Sequence, residues 1–300
     1  ATDNVGVTSV QFFLNNLAIS PLLTSAPYQH SWNTASVANG NYTLKAVAKD
    51  AAGNEGVSAV VPVTISNTYD NPLNKPVLNS ANFTYLGAFD LPLTANGWST
   101  AFSNNGLAHR YVDGQLRFFT TSHVYSGGLV YEFNYPGLAM SGSLPVAQVV
   151  RNWGDVYTGN KWVGNDGGSS NLSAGVDTYG LFYDDMTNRL YWSYGHWYNT
   201  THPNNPSIGY STLDDSTGVA TGVGSWSLTD RPEKFSRGGV LRIPQWFADS
   251  YTGGKTLGAG FGGYFSIIAS GSFGPSLAAF EDPDPAVHPN RSSLANTPLV

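Results

Sequence analysis

The apolar residues of this chain occur in short alternating runs, and turn-forming residues separate those runs. Val7–Leu14 alternates, and residues 41–49 alternate strictly before a turn that contains Asp50, Gly53 and Asn54. Alternation with a period of two places successive side chains on opposite faces of a strand. The sequence therefore predicts strands over residues 7–14, 28–32, 41–49 and 57–65.

Composition supports an all-β class and excludes several kinds of protein. The chain contains 34 Gly and 17 Pro but only 11% charged residues, as turn-rich β structure does. No apolar stretch reaches the roughly 18 residues of a membrane-spanning helix, so we expect no membrane insertion. The net charge of −6 and the lack of a basic cluster argue against nucleic-acid binding. Because cysteine is absent, disulfides and thiolate metal sites are excluded.

Three segments near the start of the chain are ATDNVGVTSVQFFLNN, SWNTASVANGNYTLKAVAKDAAGNEG and VPVTIS. They resemble the bacterial immunoglobulin-like repeats of secreted and surface enzymes. The resemblance implies an immunoglobulin-like sandwich over residues 1–66 and a secreted, extracellular or cell-surface location. Members of that family normally carry a strand before the ATDNVGV segment. We therefore expect a neighbouring segment, outside this sequence, to cover the corresponding edge of the sandwich.

Residues 67–80 read as a linker, because they contain two prolines and several turn formers without an apolar period. In the second domain, residues 81–300, a weak repeat recurs about seventy positions apart, which is typical of propeller blades with long loops. A third repeat shares less, at Leu257 and Leu277. Three blades cannot close a ring, so the sequence predicts part of a β-propeller; a large β-sandwich or jelly roll is the alternative. The matching positions are Gly106, Leu107, Leu116, His123 and Tyr125 in the first repeat, and Gly180, Leu181, Leu190, His196 and Tyr198 in the second.

The repeat contains a His-x-Tyr pair in each of its first two copies. Residues two apart on a strand share a face, and equivalent positions of neighbouring blades converge, so both pairs could line one pocket. Elimination from a uronic acid needs a base, an acid and a cation, which His, Tyr and Arg can supply. The predicted catalytic residues are His123, Tyr125, His196, Tyr198 and Arg237. The alternative is that the pairs recur only because blades recur, with the imidazoles bonded to backbone groups.

In its residue types and its repeat, the second domain resembles secreted polysaccharide lyases of the ulvan-lyase type, which are propellers that use His, Tyr and Arg. That resemblance implies an acidic polysaccharide or cell-surface glycan as the partner. Indole rings stack on sugar faces, and Arg pairs with carboxylates. The predicted substrate-binding residues are Trp153, Trp162, Trp197 and Arg242, with Trp153 and Trp162 expected to be free in loops.

No cofactor is required by this chemistry, although acidic loops, such as those with Asp155, Asp214 and Asp284, suit a structural calcium ion. The sequence designates no particular metal ligands. Two hypotheses remain: a secreted carbohydrate-active enzyme, or a non-catalytic surface, adhesive or filament-forming protein. In the second case, neighbouring copies or further domains of the same chain would be its partners.

Overall fold

The computed structural model shows an all-β protein, which confirms the predicted class. It describes residues 6–32, 34, 37, 39–67, 76–95, 97–100, 106–122, 129–160, 176–196, 204–260 and 277–299. The backbone divides into two compact units. The first comprises Ala1–Thr84, Tyr111–Leu116 and Pro244–Trp246, and the second comprises Tyr85–Arg110, Arg117–Ile243 and Phe247–Val300.

Strands of the described residues form four larger sheets and one small hairpin. Sheet A contains β1 Val7–Leu14, β2 Leu17–Ala18, β3 Gly40–Asp50, β4 Glu55–Val57 and β5 Val61–Ile65. The hairpin contains β6 Thr94–Ala95 and β7 Trp98–Ser99. Sheet B contains β8 Ala108–Val112, β9 Gln115–Thr121, β10 Val130–Asn134 and β11 Val149–Gly154. Sheet C contains β12 Val176–Asp184, β13 Arg189–His196, β14 Ile208–Asp214, β15 Val219–Leu228 and β19 Ser293–Leu294. Sheet D contains β16 Val240–Arg242, β17 Leu257–Gly260, β18 Leu277–Phe280 and β20 Asn296–Pro298.

In the part of the chain that the structure describes, helical structure is limited to short turns. Ser80–Asn82 and Glu233–Gly238 are 3-10 helices. Gln245–Phe247 is a single α-helical turn that continues into the π-helical turn Ala248–Thr252.

In the first unit, sheet A is antiparallel, and β3 is its central strand. It pairs with β1 on one side and with β4 and β5 on the other. The predicted strands over residues 7–14 and 41–49 are confirmed, and the run over 57–65 divides between β4 and β5. One end of the sheet face is covered by Ile19, Trp32 and Val37.

The predicted strand over residues 28–32 is wrong. No strand forms there; the Tyr28 hydroxyl instead donates to the Val7 carbonyl at 2.9 Å, and Trp32 packs onto the apolar cluster around Leu14. This segment therefore lies across the sheet as a covering layer, so its apolar residues are explained without strand pairing.

Sheets B, C and D each contain four antiparallel strands that lie side by side in the order in which they occur along the chain. Their faces pack in series, because one apolar cluster joins B to C and another joins C to D. The first cluster includes Phe119, Val130, Trp153, Leu181 and Trp192. The second includes Tyr191, Tyr210, Trp226, Leu257 and Phe280.

The first strands of these three sheets run in the same direction. A Cβ atom added at Gly106, just before β8, would lie 3.0 Å from Leu181, while Arg110 further along lies 5.4 Å from the Tyr183 ring. Likewise, a Cβ at Gly180 would lie 2.4 Å from Gly239, and Asp184 contacts Arg242. Because neighbouring strands are antiparallel, the second strands β9, β13 and β17 all end on the same side of the three sheets. We name this row of strand ends the exit edge. The opposite edge, where first and second strands are joined, is named the hairpin edge.

Candidate functional site

Most of the predicted catalytic side chains belong to segments that follow strands at the exit edge. His123, Tyr125 and Tyr198 lie outside the described residues, as do Trp162 and Trp197. His196 is the last residue of β13, where its backbone pairs with Val176. Arg237 belongs to the 3-10 helix that precedes β16. The convergence of these groups in one pocket therefore stays a prediction.

The described part of the exit edge holds a buried network of hydroxyl and amide groups. The Tyr194 hydroxyl lies 2.8 Å from Ser225 Oγ, and both residues are fully buried. Ser225 Oγ donates to the Asn160 carbonyl at 2.9 Å, and the Asn160 amide donates to the Gly222 carbonyl at 2.9 Å. This network joins the segment after β11 to the fourth strand of sheet C. It gives this edge a hydrogen-bonded polar layer.

A buried carboxylate lies at the same edge and was missed by the sequence analysis. Glu233 is 1% exposed and accepts a hydrogen bond from the Asn205 amide at 3.1 Å. Next to it in the fold, Ser207 Oγ and Ser236 Oγ are 3.1 Å apart. A Glu in the first turn after Pro232 is ordinary helix-start chemistry, so the sequence held no signal of its burial.

One charged cluster lies toward the hairpin edge, between sheets B and C, and centres on Arg110. The guanidinium is 2% exposed and donates to both Glu132 oxygens at 2.9 Å. It also donates to Asp215 at 2.8 and 2.7 Å. Glu132 is fully buried and accepts a third bond from the Trp153 indole at 2.9 Å. Both carboxylate oxygens of Glu132 therefore accept hydrogen bonds from other side chains of the protein.

Aromatic rings enclose this guanidinium. Its central carbon lies 5.3 to 5.5 Å from the ring centres of Phe119, Trp153 and Tyr183, a range in which a cation is attracted to an aromatic face. Burial raises the pKa of Tyr183, and the nearby Arg110 charge opposes that rise. The arrangement is that of an inter-sheet clamp, because Arg110 of sheet B binds Asp215, which follows β14 of sheet C.

Trp153 therefore differs from the expectation of a free loop residue. It lies in β11, is 4% exposed, and its ring is packed between Arg110 and Arg151. The Gly/Asn-rich flanking sequence suggested a loop, but the indole N–H found a buried acceptor in Glu132. In this arrangement the ring is not accessible for stacking on a sugar.

A second charged cluster joins sheets C and D and includes Arg242, which was predicted to bind substrate. Arg242 pairs with Asp184, lies 3.7 Å from Asp282, and donates to Thr256 at 3.0 Å. Arg189 and the Tyr191 hydroxyl both donate to Asp282, at 3.1 and 2.6 Å. Burial, and then the Asp282 charge, raise the pKa of Tyr191 well above its usual range. Arg242 is thus engaged in holding two sheets together.

No group of three or more His, Asp or Glu side chains in the described ranges is arranged to hold a metal ion. Among the acidic loops considered for calcium, Asp214 binds its own turn through Ser216 and Thr217, and its pKa is lowered to about 2 by those hydrogen bonds. Asp284 likewise accepts from the Ala286 backbone at 2.9 Å. Turn formation accounts for both of these carboxylates.

An open groove of about 490 Å³ lies on sheet A in the first unit. Its floor is apolar and comes from β1 and β3, and its rim includes charged residues of the β3–β4 turn. The lining residues are Val7, Val10, Phe12, Tyr28, Ala46, Ala48, Lys49, Asp50, Asn54, Glu55, Gly56, Val57 and Ser58.

Comparison with known proteins supports the identity of the first module. Residues 1–46 match the family described as bacterial Ig domain. No curated protein and no solved structure showed a significant match to the chain. The match confirms the immunoglobulin-like resemblance of this segment, and domains of this family point to an extracellular or surface protein. No helix in the described ranges is both long and apolar enough to cross a bilayer.

Proposed function

We propose that this is a secreted or surface protein whose second unit is a section of a propeller that binds an extracellular acidic polysaccharide and cleaves it by elimination. The bacterial Ig module would space or anchor the second unit. Support for the location comes from the family match over residues 1–46.

The propeller interpretation rests on the arrangement of sheets B, C and D. Each begins with four antiparallel neighbouring strands, and the three sheets pack face to face with their first strands aligned. Successive meanders of this kind are the building pattern of propeller blades. A two-sheet sandwich, the alternative, accounts less well for a sheet packed on both of its faces, as sheet C is.

One observation carries the proposed chemistry: β9 and β13, the second strands of successive sheets, end at the same edge and lead into the two His-x-Tyr segments. β9 ends at Thr121, two residues before His123, and β13 ends at His196 itself. Equivalent positions on adjacent sheets are the arrangement in which two imidazoles and two phenols could serve one substrate.

In the proposed reaction, one His or Tyr removes the proton beside the substrate carboxylate. The bond to the leaving oxygen then breaks as a carbon–carbon double bond forms, and a second His or Tyr protonates the departing oxygen. Arg237 stabilises the negative charge that develops on the carboxylate. No oxidant or cofactor is needed, because the electron pair of the broken C–H bond forms the new double bond.

The test is incubation with a panel of acidic algal and bacterial polysaccharides while ultraviolet absorbance of unsaturated chain ends is recorded. We expect absorbance to rise, and His123→Ala and His196→Ala each to reduce the rate by at least about 100-fold, the usual contribution of general acid–base catalysis. His30→Ala, an exposed histidine of the first unit, is the control and should keep the full rate. Unchanged rates in both test variants would remove the proposed catalytic roles.

A non-catalytic surface or adhesive role is the second candidate. It is favoured by Trp153 and Arg242, two predicted ligand-binding residues whose polar groups are instead engaged within the protein: Trp153 donates to Glu132 inside sheet B, and Arg242 pairs with Asp184 between sheets C and D. This role predicts no unsaturated product with any polysaccharide in the panel. Glycan binding without turnover, measured by calorimetry on the same panel, would support it over the lyase.

A further inference from the structure

The 3-10 helix Glu233–Gly238, which carries Arg237, is packed against sheets C and D of the second unit. Phe235 in this helix is fully buried in the apolar cluster that joins the two sheets. The helix backbone lies next to β12 and β13 of sheet C and to β17 of sheet D. The segment with Arg237 is therefore placed beside β13, the strand that ends at His196.

Two side-chain hydrogen bonds tie this helix to the segment that leads into β14. Glu233 accepts from the Asn205 amide at 3.1 Å, and Ser207 Oγ donates to Ser236 Oγ at 3.1 Å. Glu233, Ser207 and Ser236 are each at most 2% exposed, so the bonds lie where water competes little for them. Glu233 and Ser236 are three positions apart, which is one turn of a 3-10 helix. One face of the helix is thus fixed at both of its ends.

The backbone that follows Arg237 is fixed as well. Gly239 has a φ of 105°, in the left-handed region that favours glycine. It packs so closely on β12 that a Cβ added at Gly180 would lie 2.4 Å from the Gly239 Cα. Ser236 and Gly239 therefore hold the chain on both sides of Arg237.

We propose that Glu233 and Ser236 are positioning residues for Arg237, and that the helix they anchor makes the protein select an acidic sugar over its methyl ester. This inference rests on the proposed function, in which Arg237 stabilises the charge on the substrate carboxylate. A cation does this best when the protein holds it in place before the substrate binds, because no binding energy is then used to order it. A methyl ester carries no charge at this position, so a well-placed guanidinium contributes less to its reaction.

The experiment compares kcat/KM for an acidic polysaccharide that the protein cleaves and for the same polymer after methyl esterification, with unsaturated chain ends recorded by ultraviolet absorbance. Arg237→Met should lower the acid-to-ester ratio of kcat/KM by at least about tenfold, since a charge-assisted hydrogen bond is lost. Asn205→Ala removes the donor to Glu233, and Ser236→Ala removes the second bond. Each should lower the ratio about fivefold, the effect of one typical hydrogen bond. A simple loss of folded protein lowers both rates alike and leaves the ratio unchanged.

Ser227→Ala is the matched control, because Ser227 is 4% exposed and its hydroxyl lies 2.7 Å from Ser293 Oγ, away from the helix. This variant should keep the wild-type ratio. Amide hydrogen exchange over residues 233–239, measured by mass spectrometry, should become faster in Asn205→Ala and Ser236→Ala and stay at the wild-type rate in Ser227→Ala.

The outcomes separate this inference from the proposed function. If the wild type yields no unsaturated product from any polymer, the proposed function is overturned, and the role in selectivity falls with it. If the wild type is active but the ratio is unchanged in Asn205→Ala and Ser236→Ala, only the positioning role is overturned. Unchanged amide exchange in both variants, or an equal fall of the ratio in Ser227→Ala, overturns the positioning role too.

Discussion

Replacing Glu132 by Gln tests whether the buried cluster around Arg110 stabilises the second unit. Each Glu132 oxygen accepts a hydrogen bond from Arg110, and one also accepts from the Trp153 indole. A Gln side chain offers one oxygen and one NH2 group, so in either orientation an N–H must face a donor. The variant also leaves Arg110, at 2% exposure, without its buried counter-charge.

We expect Glu132→Gln to lower the free energy of unfolding by about 3–5 kcal/mol, the usual cost of removing one partner from a buried ion pair. The matched control is Asp215→Asn, which changes the other carboxylate bound to the same guanidinium. The Asp215 side chain is 47% exposed, so water can replace its bonds. Its loss should cost less than about 1 kcal/mol, as exposed ion pairs usually do.

Urea unfolding monitored by tryptophan fluorescence measures both changes, because Trp153, Trp192 and Trp226 are buried reporters within the second unit. The double variant Arg110→Met/Glu132→Leu removes both buried charges and should be more stable than Glu132→Gln alone. Equal losses for Glu132→Gln and Asp215→Asn would refute the reasoning, since burial would then not set the energy of the contact.

Two further predictions concern alkaline pH and close packing. Burial raises the pKa values of Tyr183, Tyr191 and Tyr210 above 10.0, so the unfolded chain loses these protons first. The resulting stability is complete below about pH 10 and declines as pH rises beyond it, and spectrophotometric titration should show fewer tyrosinates in the native protein than in urea; coincident titrations would contradict this. Gly209→Ala places a Cβ 2.1 Å from the buried Trp192 ring and should cost about 1–3 kcal/mol. Gly56→Ala is the control, because no atom lies within 4 Å of the position its added Cβ would occupy. Thermal unfolding measures both variants, and equal melting temperatures would contradict the packing argument.

The correctly predicted strands are those in which the alternation of apolar residues coincides with pairing to a neighbouring strand. Residues 41–49 alternate strictly because β3 is the central strand and one face of the sheet packs on an apolar cluster. Residues 28–32 carry similar apolar residues but cross the sheet face without pairing. A periodic pattern reports which side chains are buried, and it does not report whether the backbone beside them pairs.

The repeat in the second domain was also informative, because its matching positions follow the strand pattern of sheets B, C and D. Leu116 and Leu190 occupy the second strands of sheets B and C, and Leu257 occupies the second strand of sheet D. Each meander needs similar residues at similar places, so a weak likeness survives in the chain. The Arg110 cluster left no such trace, because Arg110 and Asp215 are separated by 105 positions.

The sequence by itself determined the β class, the bacterial Ig-like module and the succession of similar strand pairs, because period, turn residues and local repeats are properties of neighbouring residues. Only the tertiary structure decided which charged and aromatic residues are buried. Trp153 became a buried donor to Glu132 within sheet B, with its ring in the apolar cluster between sheets B and C, rather than an open platform, and Arg242 became a partner of Asp184. The burial of Trp153 and the pairing of Arg242 with Asp184 depend on strands far apart in the chain lying face to face, and the burial of a charge is set by that packing.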